Sequence, residues 1–262
     1  MIEAEQQQRE LLTIYRDDPC RTLPNAFWKT ATQLGSSSRL SLQRDQAGHL
    51  TSLMLWVEDR LMAFWCADPA ENVPSQLEVS SLSFALVHNN AFPIFRQCSF
   101  SRREAYFRLI CTHPPKRSMP PGFIFETVDP ATQIPAVAQM ITDCYQDLQV
   151  SESIVRNWME HPVYDPTLWV WVVEILTGKK VGLGIAEKDI RVPETSLEWI
   201  QVLPKYRGLG IGTAVVIELC KRAWQDGEFI IVSGKVNSNS QPEKLYRRCG
   251  FTGTDVWWLL VA

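Results

Sequence analysis

The sequence is poor in the features that would mark a metalloprotein, a membrane span or a nucleic-acid binder. Its four histidines (49, 88, 113, 161) show no metal-ligand spacing, and its seven cysteines include no CxxC pair, so no metal is expected. The cysteines are scattered and odd in number, and the opening "MIEAEQQQRE" is polar rather than a signal peptide. Reduced thiols and a cytoplasmic location are the expectation. No apolar run reaches the roughly eighteen residues of a spanning helix, which argues against a membrane protein. Positive charge is not in excess. A net charge of −3 gives no field to draw in nucleic acid or an anionic membrane surface. What remains is an ordinary globular composition, 45% hydrophobic and 21% charged, on 262 residues, long enough for two domains.

The clearest break is "THPPKRSMPPG" (112–122), where four prolines remove backbone donors and disfavour helix. It reads as a linker between an N-terminal α/β domain (1–111) and a second domain (123–262), or else as a long loop within one domain. After it, "FIFETV" (123–128) reads as a strand. Apolar residues at 134, 137, 138, 141 and 145 have the spacing of an amphipathic helix. "SESIVRNWMEH" suggests a short helix capped by Ser151. "LWVWVVEI" and "KVGLGIAEKD" read as a hairpin across "LTGKK". Then come a strand "SLEWIQV" (196–202), a glycine loop, and a helix expected to stop at Gly227. A strand, a short helix at "NSQPEKLYRRCG" and closing strands complete an α/β pattern. In the first part, "HLTSLMLWVEDRLMAFWC" suggests a hairpin and "SQLEVSSLSFALVHNN" a helix. Segment 94–110, "IFRQCSFSRREAYFRLI", laid on 245–261, "LYRRCGFTGTDVWWLLV", keeps Arg, Cys and Phe in place. An internal duplication stands here against coincidence. In that comparison Phe95 meets Tyr246, and a duplicated first half would have lost its chemistry.

"KYRGLGIG" (205–212) carries three glycines in five positions, a loop that lets backbone N–H groups converge on one point ahead of a helix. It is not a nucleotide-triphosphate loop, because no lysine follows Gly212. A dinucleotide fingerprint would need glycine at position 213, which is Thr213. The run "LEWIQVLPKYRGLGIGTAVVIELC" instead holds R-x-x-G-x-G, from Arg207 to Gly212, preceded by Val202, Pro204 and Tyr206. This resembles the first cofactor motif of the Gcn5-related N-acetyltransferase (GNAT) superfamily. "NSQPEKLYRRCGF", with Asn239, Tyr246, Gly250 and Phe251, resembles the second. Pro242 departs from the small residue usual there, but proline is tolerated in a first helical turn.

The resemblance implies a GNAT fold over 123–262, a mixed and mostly antiparallel sheet with flanking helices, preceded by a smaller domain that would be a degenerate repeat. It implies acetyl-CoA as cosubstrate. The pyrophosphate would be held by Arg207, Gly208, Gly210 and the amides through Ile211, Gly212 and Thr213. Val202 and Leu203 would meet the pantetheine arm and the oxyanion, with Asn239 and Tyr246 completing the cofactor set. Tyr246 would face the sulfur as proton donor, and Glu198 would be the candidate base. Alternation puts Glu198 on the face of Ile200 and Val202, opposite Trp199 and Gln201. The acceptor pocket would be shaped by 143–160 with Trp169, Trp171 and Trp199. Asp143, Asp147 and Glu152 there suit an amine, while His161 is an alternative base and the tryptophans read equally as core.

The expected function is therefore acetyl transfer to a primary amine of a small molecule or peptide. The rival from another class is a non-catalytic acyl-CoA-binding or sensor module acting through its N-terminal domain. Acetylation of a protein or RNA terminus is a third option, which the acidic balance disfavours for RNA. A covered apolar face on the N-terminal half would be consistent with a homodimer.

Overall fold

The computed structural model describes residues 2–73, 77, 82–113, 119–145, 148–224 and 229–262. In chain order the first elements are α1 (Ile2–Asp17), α2 (Pro19–Thr22), α3 (Phe27–Ala31), β1 (Ser38–Arg44), β2 (Leu50–Val57), β3 (Arg60–Cys66), β4 (Phe84–His88) and β5 (Arg102–Cys111). There follow β6 (Phe123–Thr127), α4 (Ile134–Cys144), α5 (Glu152–Met159), β7 (Tyr164–Glu174), β8 (Lys180–Asp189) and β9 (Glu194–Val202). The chain closes with α6 (Ile211–Ala223), β10 (Phe229–Lys235), α7 (Pro242–Arg248) and β11 (Thr252–Val261). It folds into two compact units. The first holds Met1–Leu109, Ser233–Glu243 and Gly253–Ala262, and the second Ile110–Val232 and Lys244–Thr252.

In the first unit β1, β2 and β3 form an antiparallel meander, and β4 joins β3 in parallel. The last strand of the chain, β11, pairs antiparallel with β4, and β5 lies beside it. The β2–β3 hairpin follows the sequence expectation. The helix expected around 75–90 does not. Part of that stretch lies outside the described residues, and Phe84–His88 is a strand with Ala85 and Val87 fully buried. Pairing on both edges, with β3 and β11, overrides a local pattern that fits helix as well as strand. The N-terminal helices are tied down by Arg108 of β5, whose side chain is 1% exposed. Its guanidinium donates to the carbonyls of Pro19, Pro24 and Asn25 and to the Tyr15 and Ser233 hydroxyls, at 2.7–3.4 Å. A buried cation is tolerable only when its donors are met in this way.

In the second unit β6 to β9 run antiparallel in sequence order, and β10 adds to β9 in parallel. Helices α4 and α5 cover one face. Ile134, Val137, Ala138 and Ile141 of α4 and Val155 of α5 bury against Trp169, Trp171, Leu183 and Ile185. The Ser151 hydroxyl accepts from the Ile154 amide at 3.3 Å, the expected N-cap. Helix α6 covers the other face at close range. A Cβ at Gly184 would fall 2.5 Å from Val215 Cγ1 and 3.0 Å from Leu219 Cδ1, so α6 rests on the β8 backbone itself. Two boundaries differ from expectation. Helix α4 stops at Cys144, leaving Tyr145 in extended conformation, and α6 stops at Ala223; Gly227 lies outside the described residues. All seven cysteines are free thiols. No described helix is long and apolar enough to cross a membrane.

Candidate functional site

The parallel pairing of β10 with β9 covers only Glu194–Leu197. Past Leu197, β9 has no pairing with β10, although Trp199–Val202 keep their partners on β8. The Leu203 amide donates to the Val181 carbonyl at 3.0 Å, which makes this a hydrogen-bonded position of the ladder. Alternation along an antiparallel ladder then turns the N–H and C=O of Val202, and again of Ile200, away from β8. Those groups face the edge that β10 leaves open. Of the two amides expected at the oxyanion, Leu203's is engaged with Val181 and Val202's faces this edge. The Val202 carbonyl accepts from Arg207 Nε at 3.1 Å, and Arg207 Nη2 reaches the Cys144 carbonyl at 3.2 Å. Arg207 thus ties the loop after β9 to the end of α4.

The glycine loop follows a single 3₁₀ turn, Pro204–Tyr206. Gly208 and Gly210 have φ of +84° and +83°, a region that other residues reach only with strain. Gly210 is the N-cap of α6, without any side-chain cap, and its carbonyl accepts from Ala214 at 3.1 Å. The amides of Ile211, Gly212 and Thr213 precede that first intrahelical bond, and no acceptor for them is found among the described residues. Three free donors at the positive end of a helix dipole make an anion cradle. Leu245 of α7 packs within 3.5 Å of where a Gly212 Cβ would stand, and Pro120 within 3.6 Å of Gly210's. Asn239 lies in an exposed turn in the part of the chain that belongs to the first unit.

Tyr246 is 7% exposed, with its ring edge-on to Phe251 at 5.7 Å. Its hydroxyl pKa is raised well above the ordinary phenol value, first by burial, then by the neighbouring Tyr145, Cys249 and Glu198. The two groups expected to share the chemistry, Tyr246 and Glu198, therefore lie within electrostatic reach of each other. Glu198 does not follow simple alternation. Ile185 pairs with Trp199 and Ala186 with Leu197, so Glu198 is the extra residue of a β-bulge. The Ser196 hydroxyl donates to Glu198 Oε1 at 2.6 Å.

On the α4–α5 side, Trp199 stacks on Trp158 (centroids 5.3 Å apart, 22°) and meets Tyr145 edge-on at 6.2 Å. The Tyr145 hydroxyl accepts from Gln201 Nε2 at 3.2 Å, and the residue is 47% exposed. Trp169 and Trp171 are core; the Trp171 indole donates to Gln133 at 2.7 Å. Asp143 accepts from Gln139, and Glu152 pairs loosely with Arg156 at 3.8 Å. Asp147 lies outside the described residues, and His161 is half-buried beyond α5. Tyr145 and Ser196 escaped sequence reasoning. The first was counted into the apolar stripe of a helix it does not join, and the second gains its meaning from a bulge that no periodicity reveals.

Residues 166–253 match the family model described as "Acetyltransferase (GNAT) domain". A search of curated proteins found no match. Among solved structures, a GNAT-family acetyltransferase from Colwellia psychrerythraea is 15% identical with a TM-score of 0.61, over 98% of this chain and 96% of that one. A tandem GNAT protein from the clavulanic acid biosynthesis pathway is 14% identical with a TM-score of 0.61, over 99% and 94%. A GCN5-related N-acetyltransferase from Sphaerobacter thermophilus is 15% identical with a TM-score of 0.60, over 90% and 85%. At such identities the likeness is one of fold, and it extends through both halves. Residues 166–253 thus match the GNAT-domain model, and the chain as a whole has a tandem GNAT fold whose N-terminal part is a GNAT-like repeat.

Proposed function

We propose that the protein is an acetyl-CoA-dependent N-acetyltransferase that delivers an acetyl group directly to a primary amine of a small molecule or peptide. The observation that carries this reading is the open edge of β9, with the free amides of α6 at one end and Tyr246 and Glu198 beside it. The residues fit the cosubstrate's chemistry. An anion cradle suits a diphosphate, and outward backbone groups at Ile200 and Val202 suit the amides of an extended arm. Bound there, acetyl-CoA would supply an activated thioester carbonyl.

The chain's own groups then divide the work. Glu198 takes a proton from the acceptor's ammonium, freeing the amine to attack. The Val202 amide faces the oxygen on which negative charge develops. Tyr246 donates its O–H in a hydrogen bond to the departing sulfur. A phenol held above its ordinary pKa of about 10 stays protonated throughout the neutral range, as a donor must. A thiol of pKa about 8.5 is a stronger acid than this phenol. Tyr246 therefore passes its proton to sulfur only in step with recovering one from the acylated nitrogen, whose second proton must leave to form the amide, and it ends the reaction protonated.

Purified protein incubated with acetyl-CoA and a panel of primary amines should release free thiol, saturably in at least one amine. Coenzyme A binding without thiol release for any amine would favour a non-catalytic acyl-CoA module instead.

A further inference from the structure

The β-bulge at Glu198 does more than interrupt a ladder. Because β9 carries one extra residue there, Ser196 and Trp199 both keep the face of their partners on β8, Glu187 and Ile185. That face is covered by α4 and α5, since Ile185 and Trp199 belong to the same core cluster. The bulge also bends the strand locally, and two neighbouring side chains, Ser196 and Glu198, come within a short hydrogen bond of 2.6 Å. Ser196 is 6% exposed, so bulk water does not compete freely for its hydroxyl. A serine hydroxyl has one proton to give. Here it is given to Glu198, although Glu187 stands directly across the ladder from Ser196.

Resting on the reading of Glu198 as the base, we propose that Ser196 is a positioning residue that aims the Glu198 carboxylate and keeps it ionised. A donor to a carboxylate favours its charged form. Glu187 on β8 is a second carboxylate on the face of Ser196, and Tyr246 of α7 lies within electrostatic reach of Glu198. The proton concerned moves from the acceptor's ammonium nitrogen to a Glu198 oxygen, and no other bond changes in that step. Ser196 touches neither substrate and acts only through the carboxylate.

The test is the pH profile of kcat/KM for an accepted amine in Ser196→Ala, Ser196→Thr and Glu198→Gln, with acetyl-CoA saturating. Loss of a hydrogen bond to a charged group should move the acid limb of Ser196→Ala upward by roughly one pH unit. The KM for acetyl-CoA should hold, and Ser196→Thr should restore the native limb. An unmoved limb in Ser196→Ala overturns the proposal, whether activity is native or uniformly reduced. So does a threonine variant that behaves like alanine. If Glu198→Gln is nearly inactive while Ser196→Ala is native, the base stands and only the positioning role falls. If Glu198→Gln keeps full activity, the reading of the base falls and takes the proposal with it. Coenzyme A binding by each variant, measured by calorimetry, separates a misfolded protein from an altered limb.

Discussion

The parallel strand pair of the first unit closes where the corresponding pair of the second unit opens. Each unit runs an antiparallel meander into a parallel strand, β1-β2-β3 then β4, and β7-β8-β9 then β10. Each also carries a bulge at the same step. On β3, Leu55 pairs with Ala63 and Trp56 with Leu61, which leaves Met62 as the extra residue; on β9 that residue is Glu198. Beyond the bulge the two differ. β3 regains its parallel neighbour, with Phe64 opposite Val87, whereas β9 has no β10 partner past Leu197. The connection from β3 to β4 (67–83) contains no glycine, where that from β9 to α6 (203–210) has two. Phe95, fully buried, stands in the sequence comparison where the second unit has Tyr246. One backbone plan thus persists in both units, while the open strand edge, the glycine loop before α6 and the neighbouring pair Tyr246 and Glu198 are found together in the second. A fold can outlast its chemistry when the core is kept and the polar groups are exchanged.

Exchanging residues between the two patterns tests how far this contrast goes. Tyr246→Phe copies Phe95 and should lower kcat by roughly 10²–10³-fold, the usual worth of a general acid, with coenzyme A affinity held. Stopped-turnover thiol release and calorimetry read the two quantities. Glu198→Met copies Met62 and should cost about 10²-fold in kcat/KM for the amine at neutral pH, with the melting temperature kept. Gly184→Ala should destabilise the protein by about 1–3 kcal/mol in urea unfolding, because the added carbon falls within 2.5 Å of Val215. Gly210→Val forces a β-branched residue to φ of +83° and should weaken coenzyme A binding roughly tenfold, about 1.4 kcal/mol.

The smallest effect concerns the first unit. Hydrogen bonds from Arg102, Lys235 and Tyr106 lower the Glu104 pKa to about 2. The folded value lies below the unfolded one, so this network stabilises at neutral pH and is lost as pH falls toward 2. Glu104→Gln should therefore be less stable at neutral pH and converge with the native protein in acid, as followed by circular dichroism.

Much of the second unit was legible in the sequence because its signals are local. The glycine loop, the Ser151 cap, the β-branched strands and the position of Tyr246 each follow from a few adjacent residues. What escaped was set by neighbours across the sheet. Alternation assigned Glu198 a face by counting in twos, and one inserted residue on β9 altered that count. Phe84–His88 reads as helix until β3 and β11 are found on either side of it. Tyr145 completes an apolar stripe on paper, yet the helix has already ended at Cys144. The separation of β10 from β9 has no local signature beyond Pro204, which removes a donor just after the strand.

Calorimetric titration of the full chain with coenzyme A tests the central claim most directly. The account predicts one molecule bound per chain, with affinity reduced in Gly210→Val and unchanged in Phe95→Tyr. Two molecules per chain would mean that the first unit keeps a working slot, and no binding at millimolar ligand would mean that the second never had one; either result contradicts the account.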